Sequence, residues 1–232
     1  METKLFPTTL TTLSSSTSIS TTFIPILSEV ESKEGKKGKI SHANNMINII
    51  ILVAIILVIM AWFLSPLIIR ITAKGFEGEQ FNLAVNLMRI GLPMILFSGV
   101  MGALTGFLHS EQRHKSSAAV GFPLNFVYIF FLLFLSSKFG IKGLMVAGVV
   151  AVMSQLLIQI PEARKAGFRY KFIFDIKDEY IRKALYLSVP VLIGVAINDI
   201  NIIVNRTLAS GLVTGSISAL NYAKVLFTII LI

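Results

Sequence analysis

The chain has 232 residues, of which 54% are hydrophobic and only 14% are charged, and its formal net charge is +9. Soluble domains carry about 25% charged residues, so this composition, with a mean hydropathy of +0.79, excludes an ordinary soluble domain. The absence of cysteine excludes disulfides, thiolate metal sites and cysteine nucleophiles. We therefore expect a polytopic membrane protein whose helices face lipid.

The first 44 residues do not resemble a membrane span. Residues 1–20 are rich in Ser and Thr and lack an apolar stripe, which predicts a disordered segment rather than a signal peptide. The apolar piece "TTFIPIL" that follows is too short to cross a bilayer, and it leads into a Lys-rich loop.

Six apolar stretches of membrane-spanning length come next along the chain. They lie at about residues 45–71, 83–109, 118–137, 143–160, 185–208 and from 216 onward. Pro161 is expected to stop the fourth helix, whereas Pro66, Pro93 and Pro190 fall within spans and predict kinks. The pattern predicts an all-α polytopic protein with about six transmembrane helices.

Positive charge is distributed unequally between the two sides of this topology. One side carries fourteen Lys and Arg residues and the other six, which places the N-terminal side and the loop 161–184 in the cytoplasm. Contact of these basic regions with anionic lipid is a second interpretation of the same bias. No nucleic-acid module, catalytic triad, phosphate-binding Gly loop or metal-ligand cluster is visible in the sequence, so we expect neither an enzyme, nor a cofactor or metal, nor a nucleic-acid partner.

The stretch "VAINDINIIVNRTLAS" places polar residues inside the fifth span. At 100° per residue, Asn198, Asp199, Asn201, Asn205 and Arg206 share an arc of about 160°. Ionisable groups in a membrane face a cavity or a partner helix. This face is therefore expected either to line a hydrophilic cavity or to make hydrogen bonds between packed helices.

Several segments together resemble the MurJ/MviN family, the lipid II flippases. These segments are "SISTTFIPILSEVESKEGK", "GALTGFLHSEQRHKSSAAVGFPLNFVYI", "MSQLLIQIPEARKAGFRYKF" and "SVPVLIGVAINDINIIVNRTLASGLVTGSISALNYA". They occur in the family's order and cover about residues 18–223. Several ordered motifs are more specific than any single one.

The resemblance implies the fold of the multidrug/oligosaccharidyl-lipid/polysaccharide exporters, in which two lobes enclose a central cavity. It implies alternating access in the bacterial cytoplasmic membrane, with lipid II or a similar undecaprenyl-diphosphate-linked lipid as substrate, and with membrane lipids and other cell-wall synthesis proteins as partners. Six spans would correspond to helices three to eight of such a flippase. Ser218, Asn221 and Lys224, with the amide face of the fifth span, become candidates for lining the cavity.

The chain then divides into five parts: an unmatched Ser/Thr-rich segment (1–17), a helix end with a basic loop (18–44), four helices of the first lobe (45–160), an inter-lobe loop (161–184) and the start of the second lobe (185–232). The family's first helix and an arginine-rich half of its second are not recognisable. In the eighth helix, Lys224 and Val225 stand where the family often has an acid or amide and an arginine. Both ends therefore predict a truncated copy.

Three alternatives remain open at this point. One is another exporter of the same superfamily, either a drug/cation antiporter or a polysaccharide-lipid flippase. Another is a nonfunctional remnant, which the two ends favour. A membrane enzyme or channel subunit would need a catalytic cluster or a repeated pore motif, and neither is present in the sequence.

Overall fold

The computed structural model describes residues 7–73, 75–210 and 222–223, with side chains from Phe23 onward apart from a few positions in the helices. In this part of the chain all regular structure is helical, which confirms the predicted all-α class. The elements are α1 (Pro7–Thr72), α2 (Gly78–Gly91), α3 (Pro93–Ser110), α4 (Lys115–Ala118), α5 (Gly121–Phe130), a π-helix (Phe131–Leu135), α6 (Ser136–Lys165) and α7 (Glu179–Ser210).

Within the described residues, three helical stretches are long and apolar enough to cross a membrane: Phe23–Thr72, Gly78–Ser110 and Gly121–Lys165. The last includes both the third and the fourth predicted spans. Gly140 separates these two spans, because its φ of 54° lies in the left-handed region that glycine adopts without strain. Helix α7 covers the fifth predicted span, and the sixth lies outside the described residues except for 222–223.

Helix α1 bends sharply at Gly35, whose φ is 72°. Side chains eight residues apart meet across the bend. Lys39 Nζ lies 2.7 Å from Glu31 Oε2, and His42 Nε2 lies 3.1 Å from Glu34 Oε2. In a straight helix, residues with this separation are about 12 Å apart along the axis. The bend therefore divides α1 into two arms that belong to one packed unit.

The main core joins both arms of α1 to α3, the end of α6 and the start of α7. Its completely buried members include Ile26, Leu27, Phe107 and Leu108. Beyond Leu52 the second arm of α1 instead exposes a succession of large apolar side chains, with Phe63 76% exposed. Apolar exposure on this scale suits a helix in lipid, so the packed core lies at one end of the membrane-length helices.

Two sequence-based expectations about helix boundaries were wrong. Residues 7–20 were expected to be disordered, but α1 begins at Pro7, since extending an existing helix costs little per residue. Pro161 was expected to end a helix, but α6 continues through it to Lys165. Proline removes one helical hydrogen bond there, close to the helix end. The irregular linker is consequently shorter than the predicted 161–184 and comprises residues 166–178.

A second proline, Pro66, lies inside α1 and is supported by a chain of polar contacts. Proline has no N–H, so the carbonyl of Trp62 one turn earlier loses its helical donor. The hydroxyl of Ser65, which is completely buried, donates to that carbonyl at 2.7 Å, and Arg89 Nε of α2 donates to Ser65 Oγ at 2.9 Å. The Arg89 guanidinium also lies 5.4 Å from the centre of the Trp62 ring. These contacts link α2 to α1 at the proline.

Candidate functional site

Two of the predicted site residues, Asn201 and Asn205, are exposed on α7. The amide nitrogen of Asn205 donates to Asn201 Oδ1 at 3.1 Å. Asn198 and Asp199 belong to the same helix, but their side chains lie outside the described part of the structure. The remaining predicted cavity residues also lie outside the described residues: Ser218, Asn221 and Lys224.

The contact of α7 with α1 determines which way the amide face points. Thr207 Oγ1 donates to the carbonyl of Thr72 at 3.3 Å. Thr207 lies about 180° around the helix from Asn198, so the face bearing Asn201 and Asn205 is directed away from α1. Both asparagines are exposed, as are Ile200 and Val204 nearer the α1 side of the helix. No described element covers this amide face, which leaves it available for a ligand or for another part of the protein.

Helix α7 runs alongside the second arm of α1 in the same direction. Near the start of both, Asn45 donates to Asp178 Oδ2 at 3.0 Å. The other Asp178 oxygen accepts from the backbone N–H of Tyr180 at 2.9 Å and so caps the first turn of α7. His42 Nδ1 lies 2.6 Å from Asp178 Oδ2. One carboxylate thus fixes the beginning of α7 against α1.

A second polar region is formed by three buried asparagines at the start of α1's apolar run, which we call the asparagine clamp: Asn44, Asn45 and Asn48. Their side chains bind backbone groups of the linker more than 120 residues later in the chain. The bound groups belong to alternate linker residues, as expected for an extended chain. They are the carbonyls of Arg169 and Ile173, and both the N–H and the carbonyl of Lys171 and of Asp175. The clamp therefore holds the linker on α1 as a neighbouring strand would.

Five residues before Asn44, Lys39 is a completely buried cation. Its ammonium lies 2.7 Å from both Glu31 Oε2 and Glu111 Oε1, and 3.2 Å from the carbonyl of Ser110. Lys36 donates to the other Glu111 oxygen at 3.1 Å. A buried charge is tolerated only when it is paired and hydrogen-bonded, so this network joins the two arms of α1 to the end of α3.

The Glu111 carboxylate should make stability depend on pH. Burial alone raises its pKa, but hydrogen bonds from Lys39 and Lys36 outweigh that effect and lower the pKa below its usual 4.5. A lowered folded-state pKa contributes stability that is present above about pH 4.5 and is lost as pH falls through the folded-state value. Thermal unfolding in detergent should show this acid loss in the unmodified chain and a smaller one in Glu111→Gln. Equal losses in both would contradict the assignment.

Two buried glutamines of α6 bind neighbouring parts of the chain, one in α3 and one just before α5. Gln159, completely buried, accepts from Thr105 Oγ1 at 3.1 Å through its Oε1. Gln155 donates to the carbonyl of Val120 at 2.9 Å. In the described residues no group of three or more His, Cys, Asp or Glu side chains is placed to hold a metal ion. These polar contacts connect helices and supply no reactive group.

The asparagine clamp and the Lys39 network were not recognised from the sequence. The asparagines lie in "HANNMIN" at the start of an apolar run. Three amides within five residues at that position could have indicated a polar contact. Their linker partners could not be identified from one sequence, because they lie so far along the chain. Lys39 looked like one of many loop lysines.

Comparison with known proteins gives a consistent result. The family model described as "Lipid II flippase MurJ" matches residues 5–231, so the match includes most of the Ser/Thr-rich segment that the resemblance had left unmatched. The probable lipid II flippase MurJ of Buchnera aphidicola subsp. Acyrthosiphon pisum is 30% identical over 94% of this chain and 43% of its own length. The lipid II flippase MurJ of Burkholderia cenocepacia is 24% identical over 94% of this chain and 44% of its own.

A solved structure agrees with these relatives. "Lipid II flippase MurJ, inward closed conformation" superposes with a TM-score of 0.78 at 25% sequence identity, over 97% of this chain and 46% of that one. The chain thus spans less than half the length of the relatives it matches.

Proposed function

Because this chain belongs to the lipid II flippase MurJ family, we propose that it forms part of a transporter that moves a lipid-linked peptidoglycan precursor across the bacterial cytoplasmic membrane by alternating access. The chain spans less than half of its relatives' length, so the proposal concerns its contribution to such a transporter. Transport of this kind needs no covalent step, and the residues proposed for the site act by binding.

The observation that carries the proposal is the uncovered amide face of α7. Asn201 and Asn205 are exposed on the side away from α1, in the half of α7 whose other exposed large side chains are isoleucine, valine and leucine. Amides both donate and accept hydrogen bonds, which suits a sugar–diphosphate head group. The two amides are neutral, so each costs less inside a membrane than a charged side chain would.

We place the head group against one wall built from α7 and the segment that follows it. The proposed lining residues are Asn198, Asp199, Asn201, Asn205, Ser218, Asn221 and Lys224. The Lys224 ammonium would act as a point charge for the diphosphate. The lipid tail would remain in the bilayer while the head group crosses.

The orientation follows from the distribution of positive charge. The N-terminal side and the linker would face the cytoplasm, where basic loops are retained. The four helices of residues 45–160 would then belong to the first lobe, and residues 185–232 would begin the second. Other cell-wall synthesis proteins are the proposed partners at the cytoplasmic side.

Removing both exposed amides should weaken transport. We expect Asn201→Ala with Asn205→Ala to lower lipid II translocation roughly tenfold or more, since each lost hydrogen bond contributes about 1 kcal/mol. The measurement would use a chimera in which residues 5–231 replace the matching segment of the Burkholderia cenocepacia flippase. Cells depleted of their own flippase would report growth and lipid II translocation.

The matched control is Asn125→Ala, because Asn125 is also exposed on a membrane-length helix and bonds only its own helix, at the Gly121 carbonyl, among the described residues. The control should transport normally. A chimera that is present in the membrane but never restores growth would overturn the proposed function. Equal activity of the double variant and the control would instead remove the amide face from the proposed site.

A further inference from the structure

The linker segment that the asparagine clamp holds lies where α1 starts to face lipid. Asn48 binds the carbonyls of Lys171 and Ile173. One helical turn after Asn48, at Leu52, α1 starts to expose large apolar side chains. The clamp therefore fixes residues 169–177, which we call the interfacial segment, at the end of the lipid-facing surface.

The interfacial segment exposes an unusual amount of apolar surface for an irregular linker. Its large side chains alternate with backbone-anchored residues and are between 43% and 78% exposed: Tyr170, Phe172, Phe174 and Ile176. The Tyr170 hydroxyl donates to Asn48 Oδ1 at 2.6 Å, which fixes the ring beside the span. Aromatic side chains are enriched at the depth of lipid head groups, where one end of the ring is apolar and the other polar.

The same segment carries cations without counter-ions. Arg169, Lys171 and Lys177 are exposed, and none of them forms an ion pair within the described part of the chain. The acid inside this segment, Asp175, accepts from the backbone N–H of Lys177. Exposed aromatic side chains and free cations thus lie together on one short stretch.

Five other basic residues at this end of the helices are paired instead. They are paired with carboxylates in ion pairs that tie the helices together: Lys33 and Lys183 with Glu29, Lys36 and Lys39 with Glu111, and Arg113 with Glu162. Residues 169–177 differ in carrying three cations that are unpaired among the described residues, on the same short stretch as exposed aromatic side chains.

We propose that residues 169–177 bind the surface of a bilayer that contains anionic phospholipid. The aromatic side chains enter the boundary between head groups and acyl chains, while Arg169, Lys171 and Lys177 contact lipid phosphates. Continuity with the lipid-facing surface of α1 favours a membrane over a protein partner, and the unpaired cations favour anionic over zwitterionic lipid. This inference requires only that the chain lies in a membrane, and it is independent of the proposed transport.

The depth of the segment can be measured with one tryptophan. In a Trp62→Phe background, Phe172→Trp makes the interfacial segment the only fluorescent site of that kind. The full chain is placed in liposomes of phosphatidylcholine and phosphatidylglycerol, some of which carries bromine near the head group. We expect the brominated lipid to quench the introduced tryptophan strongly. If brominated lipid left the tryptophan fluorescence unquenched, the segment would be covered by water or protein. That result would overturn the proposal.

Lipid selectivity is tested by energy transfer from the same tryptophan to dansyl-labelled phosphatidylglycerol or phosphatidylcholine. Transfer to phosphatidylglycerol should be favoured, and Lys171→Gln with Lys177→Gln should reduce the local enrichment by roughly fivefold for each lysine removed. The matched control, Lys138→Gln with Lys142→Gln, changes exposed lysines far from the segment and should leave the preference unchanged. Equal transfer to the two lipids with both segment lysines in place would overturn the anionic preference.

Discussion

Replacing both Glu31 and Glu111 with glutamine is expected to lower the free energy of unfolding by about 3 kcal/mol or more, because the Lys39 ammonium then stays buried without a counter-charge. Lys39 is completely buried and bonds both carboxylates at 2.7 Å. Glutamine keeps the size of each side chain and one hydrogen-bond acceptor. The lost stability therefore measures the effect of charge and not of packing. Equilibrium unfolding in mild detergent, followed by circular dichroism, gives the free energy.

Two further variants separate this explanation from general damage. Glu77→Gln with Glu79→Gln removes the same number of charges from exposed positions and should change stability by less than about 0.5 kcal/mol. Adding Lys39→Met to the first double variant should recover most of the loss, since an apolar side chain tolerates this site. If methionine recovered nothing, the buried charge would not be the cause.

The second large effect is expected at the asparagine clamp. Asn45 makes three hydrogen bonds to the linker and to Asp178, each contributing about 1 kcal/mol. Asn45→Ala should therefore release this part of the linker with a local cost of about 3 kcal/mol, which corresponds to roughly a hundredfold faster hydrogen exchange. Exchange measured by mass spectrometry on the peptide containing Asp175 tests this.

The protein provides an internal comparison for this variant. The amide of Lys171 is held by Asn44 rather than Asn45, so its exchange should accelerate less than that of Asp175. Asn125→Ala, which removes only a bond within its own helix, should leave both amides protected. Uniform acceleration across the chain would indicate global destabilisation in place of local release.

The family and the helical class could be predicted because they depend on features that one sequence displays. Long apolar runs indicate membrane helices, and several motifs in the same order indicate the family. The amide face of α7 was also predictable, since helical periodicity alone collects Asn201 and Asn205 on one side. Its direction away from α1 required the contact between Thr207 and Thr72.

The features missed from the sequence all depend on distant partners or on a single backbone conformation. The bend at Gly35 comes from one residue in the left-handed region. A glycine in a Lys-rich stretch has the same sequence context whether or not the helix bends there. The clamp joins residues more than 120 positions apart. Lys39 differs from its neighbour Lys37 only in burial, which the sequence does not reveal.

The contacts at Pro66 have a mechanical consequence. A proline inside a helix usually creates a hinge, because one carbonyl is left free to tilt. Here the Trp62 carbonyl is held by Ser65, and Ser65 is held by Arg89 of the neighbouring helix. Opening the joint would break both bonds at a buried position, so the proline and its neighbour turn as one rigid piece. Any bending of α1 at Pro66 would therefore have to carry α2 along with it.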